Sequence, residues 1–449
     1  MMTTRKQFKI TYSTLGSPDP LLHTYYEEAL QGARANLGRT HRMYIDGQWV
    51  EAAATYATYS PIDTSLHMGS FQDGTAADID RAVTAARAAY PGWRATPWQD
   101  RVALLRRAAE LISERLFTIA AVDSLEVGKN RLEALGDVEE VADFIRTYCD
   151  VMQENHGFAI RQRAESRHHR NTSVLKPYGV WAVISPFNFP IALSGGPTAA
   201  ALIAGNTVVL KPAEDTPYGP TLLMECFVEA GLPPGVINFV TGQKETGRAL
   251  VDHSGVDGIT FTGSYRVGME IYAKVAGGRR PRPVITEMGG KNPTIVARSA
   301  DLDLAAEGVA RAAFGLSGQK CSACSRVYVH ADVKDAFAAK LAAQAEKVQI
   351  GDPTQQDCVD EATNTTSYMM VLEQNGLLKY HKVGAPFSKE NLLRGVAGWP
   401  HWTAVLIEQG SGQHWAVDSW IYPNGENPAV VETEKWYIND LNSLPKSTS

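Results

Sequence analysis

Apolar and polar residues change rhythm several times along this chain, and each rhythm predicts an element. After a polar amino-terminal arm, the stretch MYIDGQWVEAAATYATYSPID alternates apolar and polar positions around an Asp-Gly pair, the pattern of a β-hairpin. Between Ala77 and about Asn155 the spacing lengthens. DIDRAVTAARAAYPGW, DRVALLRRAAELISERLFTIAAVDSLEVGK and GDVEEVADFIRTYCDVM place apolar residues three and four apart, which predicts amphipathic helices. Short apolar runs then alternate with helical stretches: GVWAVISP, NTVVLKPA, GVINFVTG and DGITFTGS each close in turn residues and precede a helix-like segment. That rhythm predicts an α/β fold with a parallel sheet covered by helices. RPVITEMGGKNPTIV, the helix AAEGVARAAFGLSG and the strand SRVYVHA begin a second α/β region that ends near Asp352. Residues 353–449 are rich in Trp and Tyr and read as one helix followed by a β-hairpin.

Composition narrows the classes. At 449 residues and 44% hydrophobic content the chain can bury two or three cores. Its 43 basic and 49 acidic residues are intermixed and sum to a net charge of -6, so no basic stripe favours nucleic acid or an anionic membrane as partner. The opening MMTTRKQFKITYSTLGSPDP lacks the apolar centre of a secretory signal, and no later run has the length of a membrane span. A cytoplasmic location is therefore expected. Five cysteines, Cys149, Cys226, Cys321, Cys324 and Cys358, are spread thinly, which argues for reduced thiols rather than a disulfide framework. No metal is expected.

In an open parallel sheet, ligands gather beyond the carboxyl ends of the strands, and the turns there carry chemistry. SPFNFP brings Ser185 and Asn188, whose amide can donate to a developing oxyanion. KPAEDTP brings Lys211 and Glu214, an ammonium and a carboxylate suited to ribose hydroxyls, although each alone is an ordinary solvated charge. In TGSYRVGMEIYAKVA, Gly263 and Gly268 flank a helix start and Ser264 offers a hydroxyl, an anion site through unpaired N–H groups and the helix dipole. ITEMGGKNP places Glu287 before a Gly-Gly pair, and GQKCSACSRVYV places Cys321 among polar neighbours at the mouth of a strand, with Cys324 as competitor.

Taken together and in this order, these motifs resemble the aldehyde dehydrogenase superfamily, from roughly Arg42 to Asp352. The resemblance implies a Rossmann-like NAD-binding domain over 42–286 after an arm over 1–41, and a partial α/β catalytic domain over 287–352. It implies Cys321 as nucleophile, Glu287 as general base and Asn188 as oxyanion donor. Ser185, Lys211, Glu214, Gly263, Ser264 and Gly268 become the cofactor contacts. Hydride cannot leave a planar aldehyde, so the thiolate must first form a tetrahedral thiohemiacetal; the resulting thioester is then hydrolysed by water that Glu287 deprotonates. Burial would raise that carboxylate toward neutrality. EVGKNRLEALGDVEEVADFIRTYCDVM, RNTSVLKPYGVWAVISPFNFP, TAAALIAGNTVVLKPA and IYAKVAGGRRPRPVITEMGGKNPTIV resemble the branch that oxidises L-glutamate γ-semialdehyde in proline breakdown. Another semialdehyde or an aromatic aldehyde are alternatives. Glu214 beside a ribose hydroxyl would repel a 2′-phosphate, which favours NAD over NADP.

After KVQIGDP the resemblance implies a second glutamate, a substrate-anchoring loop and strands that close the sheet and pair subunits, none of which is legible here. The family's homo-oligomer is in doubt for that reason, and an incomplete sheet would leave edges open. Instead, DCVDEATNTTSYMMVLEQNGLL reads as a helix with Cys358 in its first turn, and WPHWTAVLIEQGSGQHWAVDSWIYPNG as a hairpin carrying His401 and Asp418. That α+β segment over 353–449 resembles the transglutaminase-like or arylamine N-acetyltransferase-like branch of papain-like enzymes, which would imply acyl transfer or amide hydrolysis. A structural helix with an aromatic hairpin, and a chimeric or frameshifted chain, are the alternatives.

Overall fold

The computed structural model describes residues 8, 10, 20–278, 281–345, 381–384, 387–389, 401–418 and 429–433. They belong to two compact units, which divide between Gly289 and Gly290, with residues 61–63 assigned to the second.

In the first unit the helix Pro20–Ala35 leads into β1 (Thr40–His41), the hairpin of β2 (Met43–Ile45) and β3 (Gln48–Val50), then β4 (Thr55–Tyr59) and β5 (His67–Gln72). The hairpin turns on Asp46 (φ 51°) and Gly47 (φ 79°), the pair of positive values that a tight hairpin turn demands. β1, β5 and β4 make a small three-stranded sheet. The arm that reads as polar thus contains a helix, and its Leu22, Tyr26 and Ala33 are buried. They fall four and seven residues apart, one face of a helix that the surrounding polar residues disguise.

Four helices follow, Ala76–Ala95, Trp98–Glu114, Leu116–Val127 and Arg131–Glu154. Thr75 and Asp78 form a reciprocal capping box at the first of them. Gly128, left-handed at φ 87°, closes the third, and Asn130 caps the fourth. β6 (Ala159–Gln162) and β7 (Asn171–Val174) pair as an exposed hairpin. Then come β8 (Val180–Ile184), β9 (Thr207–Lys211), β10 (Ile237–Phe239), β11 (Gly258–Thr262) and β12 (Val284–Glu287), separated by the helices Ala192–Ile203, Tyr218–Glu229, Lys244–Asp252 and Tyr265–Ala276.

The main sheet runs β12-β11-β8-β9-β10-β2-β3. The ladders from β12 to β10 are parallel, and β2 and β3 add antiparallel at one edge. β9 is buried along its whole length: Val208 and Leu210 pack into one helical layer, with Leu111, Val141 and Leu223, and Val209 into the other, with Ile79 and Val83. Burying such side chains stabilises by about 1.5–3 kcal/mol each. β12 pairs with β11 in register Thr262↔Glu287, so Val284–Glu287 is an edge strand of this sheet. The sequence reading groups it with the second region, because the Gly-Gly pair that separates the units lies just after it.

In the second unit β13 (Asn292–Val296) and β14 (Cys324–Val329) pair in parallel around the helix Leu302–Phe314, followed by the helix Lys334–Ala345. The expected carboxyl-terminal hairpin is part of a larger antiparallel sheet. β15 (His381–Val383), β17 (His401–Glu408), β18 (His414–Asp418) and β19 (Ala429–Glu432) lie in that order, with β16 (Phe387–Lys389) also on β17.

Candidate active site

The sheet order places β8 beside β11, while chain order moves outward from β8 on one side through β9 and β10 and on the other through β11 and β12. That reversal is a topological switch point, where the loops leaving two neighbouring strands diverge and open a crevice. Ser185 to Pro190 leaves β8 and Gly263–Ser264 leaves β11, so the sheet brings both expected turns to this point.

The β8 turn is tightly held. Ser185 Oγ lies 2.7 Å from Ser194 Oγ, Thr216 Oγ1 donates to the Phe187 carbonyl at 3.3 Å, and Asn188 is half-buried. At the end of β9, Lys211 and Glu214 differ where the sequence suggested two solvated charges: Glu214 is exposed, and Lys211 is only 5% exposed. The Lys211 ammonium donates to the Pro212 carbonyl at 2.9 Å. Burial pulls its pKa down to about 8, against the opposing effect of Glu214, Asp215 and Asp73.

Beyond β11, the Gly263 N–H donates to the Glu287 carbonyl at 3.0 Å. Ser264 is the N-cap of the helix Tyr265–Ala276, its hydroxyl accepting from Val267 N at 3.4 Å. Gly268 lies close to its neighbours: a Cβ there would meet Met288 Sδ at 2.7 Å, so a larger residue would require the Met288 side chain to move. A cavity of about 300 Å3 opens between this helix and Lys244–Asp252, walled by Ile184, Val251, Phe261, Val267 and Ile271 with Lys211 at its lining. Lys244 and Lys274 also line it, and an apolar slot with several ammonium groups and a helix start beside it fits a purine, its ribose and a phosphate.

In the second unit Cys321 is exposed. It sits in a turn closed by Ala323 N donating to the Lys320 carbonyl at 3.1 Å, and its own carbonyl accepts from Asn292 Nδ2 at 2.7 Å. Leu316 and Ser317, just upstream, hold φ 46° and 54°, a left-handed conformation that costs non-glycine residues roughly 1–2 kcal/mol each. Strain of this kind collects near functional turns. Cys324 is half-buried and engaged, with Thr294 Oγ1 donating to its sulfur at 3.1 Å and its thiol directed to the Arg326 carbonyl at 3.4 Å. Cys149 and Cys226 are buried, and burial pushes both thiols up to about 11, which keeps them protonated. Cys321 is thus the accessible thiol among the described residues. Glu287 is exposed at the edge of the first sheet, whereas its expected role supposed a buried carboxylate.

Cys358 lies outside the described residues. His401 opens β17 and Asp418 ends β18, where the ladder pairs Ala404 with Val417; the backbone register therefore leaves them staggered. Among the described residues no group of His, Cys, Asp and Glu is arranged to hold a metal ion, and no helix is long and apolar enough to cross a membrane.

Comparison with known proteins matches residues 49–368 to the aldehyde dehydrogenase family. The chain belongs to that family. The match extends past Asp352, beyond the stretch whose motifs carry the resemblance. The chain is 38% identical over 389 residues to 1-pyrroline-5-carboxylate dehydrogenase of Staphylococcus epidermidis, covering 85% of this chain and 73% of the relative. It is 39% identical over 338 residues to 1-pyrroline-5-carboxylate dehydrogenase 1 of Halalkalibacterium halodurans, covering 74% and 65%. Among solved structures, a Thermus 1-pyrroline-5-carboxylate dehydrogenase with bound NAD superposes with a TM-score of 0.77 at 31% identity, covering 90% of this chain and 78% of that one. The aldehyde dehydrogenase fold, with its Rossmann-like parallel sheet, is therefore established.

The sequence reading passed over one group of residues beside this site. Asp123, Glu126 and Asp137 lie in helices and Lys129 in the turn between two of them, and all four are buried. The signal that would have found them is the EVGK stretch itself: a glycine stop followed by a lysine, flanked by carboxylates that share one helical face with apolar residues.

Proposed function

We propose that this chain oxidises L-glutamate γ-semialdehyde to the carboxylate with NAD, using Cys321 as nucleophile. The observation that carries the reading is the exposed Cys321 thiol in a hydrogen-bonded turn of a family-matched chain whose relatives are 1-pyrroline-5-carboxylate dehydrogenases.

Cys321 adds to the aldehyde carbon and holds it as a tetrahedral thiohemiacetal. Asn188 donates to the alkoxide oxygen, which stabilises the charge that forms as the carbonyl opens. NAD, when bound, would supply the acceptor for the hydride that leaves this carbon. Cys321 is then left as a thioester, and Glu287 takes the proton of the water that hydrolyses it. Lys211 and Glu214 meet the adenosine ribose, Gly263 and Ser264 the pyrophosphate at the helix start, and Ser185 lines the crevice between them. The exposed Glu214 carboxylate disfavours a 2′-phosphate and so favours NAD over NADP. In this reading residues 42–286 bind the cofactor and 287–352 carry the thiol.

The test is NADH absorbance with L-glutamate γ-semialdehyde and with simple aliphatic and aromatic aldehydes. Turnover that is highest with the semialdehyde supports the proposal. A folded protein that turns over no aldehyde would sink it, and a preference for an aromatic aldehyde would overturn the substrate.

A further inference from the structure

The buried charges at 123–137 have no place in the chemistry above, and their geometry points at one turn. Lys129 Nζ lies 3.0 Å from Asp123 Oδ2 and 2.7 Å from Asp137 Oδ2, with none of the three side chains exposed. The other oxygen of Asp137 accepts the Ala192 N–H at 2.9 Å, the first residue of the helix that follows the β8 turn. The Lys129 ammonium also lies 4.3 Å from the ring centroid of Phe189, and the Phe189 carbonyl accepts from Leu193 N at 3.1 Å. On the other side, Glu126 receives the N–H groups of Tyr218 and Gly219 at 2.6 and 2.8 Å, and Thr216, just before them, bonds the Phe187 carbonyl. Lys129 and Asp137 thus reach the residues after Asn188, while Thr216 holds Phe187 before it.

Such a cluster needs an explanation other than stability. Taking paired charges out of water costs as much as their attraction returns, and apolar residues of similar volume commonly stabilise as well or better. What an ion pair does supply is direction, because its partners are fixed in distance and angle.

We propose that Lys129 is a positioning residue for the oxyanion donor: through Asp137 and Phe189 it fixes the Ser185–Ala192 turn, and so the place of the Asn188 amide. The inference rests on the proposed role of Asn188 in aldehyde oxidation. Lys129 is not among the residues that line the cavity beside Lys211.

The test is a double-mutant cycle between Lys129→Met and Asn188→Ala, with hydrogen exchange on the same proteins. Removing a single oxyanion donor costs about 100- to 1,000-fold in kcat, so a displaced donor should cost Lys129→Met about 10- to 100-fold in kcat, with KM and NAD affinity within about twofold. Added to Asn188→Ala, Lys129→Met should cost almost nothing more, because the group it positions is already gone. Losses that multiply would overturn the proposal, as would a loss that appears in KM or NAD binding alone. Amides of 185–194 should exchange faster in Lys129→Met while those of β9 and β10 do not change; unaltered exchange at 185–194 overturns the clamp whether or not the enzyme turns over. Wild-type protein with no turnover would remove the functional reading, while the exchange result would still decide the clamp. Should Lys129→Met not fold, Phe189→Leu, which removes only the ring facing the ammonium, carries the same cycle.

Discussion

The strands around β8 and the β13–β14 pair are made from the same strand–helix–strand grammar, yet they are buried to opposite extents. TVVLK in β9 is buried at every position, whereas NPTIV in β13 leaves Ile295 77% exposed and its partner strand leaves Tyr328 56% exposed. Their apolar content alone does not separate them. What differs is neighbours: β9 has a strand on each side and a helical layer on each face, while among the described residues β13 and β14 form a two-stranded sheet. Apolar pattern states what a strand can bury, and the width of its sheet decides how much it does bury. The division also separates tasks. The cavity beside Lys211 lies in the first unit, and the thiol that is accessible among the described residues lies in the second.

Breaking that comparison should have its largest effect at the thiol. Cys321→Ala should abolish NADH formation, by roughly a thousandfold or more, while the urea midpoint of unfolding stays within error of wild type, because an exposed side chain contributes little to packing. Turnover that survives the substitution would move the nucleophile elsewhere, first to Cys324.

Core truncation comes next and should distinguish the units. Phe239 in β10 is fully buried, so Phe239→Ala should destabilise by about 3–5 kcal/mol. Ile295→Ala should stay within about 0.5 kcal/mol. Equal losses in denaturant titrations would mean that the β13 face is covered in solution.

A smaller effect should follow from Lys211. Its folded pKa is lowered to about 8, while an unfolded lysine keeps its proton to about 10.4. Between these values the unfolded chain binds more protons, so this residue makes stability rise with pH across the window; its penalty is fully present below pH 8. Lys211→Met should remove that rise, seen as the difference between variant and wild-type urea midpoints at pH 7.5 and 9.5. A wild-type slope that persists in the variant would refute the assignment.

The most modest test is iodoacetamide labelling followed by peptide mapping at neutral pH. Cys321 should react well before Cys149 and Cys226, whose thiols burial keeps protonated. Fast labelling at Cys358 would support the reading of 353–449 as a thiol enzyme, and slow labelling there would favour a structural segment.

Much of this architecture is written locally. The runs GVWAVI, NTVVL, GVINF and DGITF become β8 to β11, and Asp46-Gly47 becomes a hairpin turn, because each depends on a few neighbouring residues and their backbone preferences. The candidate site was legible to the same extent: Asn188, Gly263, Ser264 and Cys321 all sit in turns next to strands, where a short stretch suffices to place them. The helix Pro20–Ala35 was legible in principle, through Leu22, Tyr26 and Ala33, but its many polar residues hid the stripe.

Order across the sheet was not legible. Nothing local states that β8 lies beside β11, that β12 completes the first sheet, or that the last strands form more than a hairpin, since each depends on pairing between residues far apart in the chain. Burial of charge was hidden for the same reason. Lys129 and Lys211 are ordinary lysines in sequence, and only the packing of separate helices and strands around them removes water and turns each into a directed, perturbed ammonium. The sequence alone determined which residues could do chemistry and which turns would carry them. Tertiary structure decided which of those turns meet and which charges lose their solvent, because both depend on contacts that no local pattern encodes.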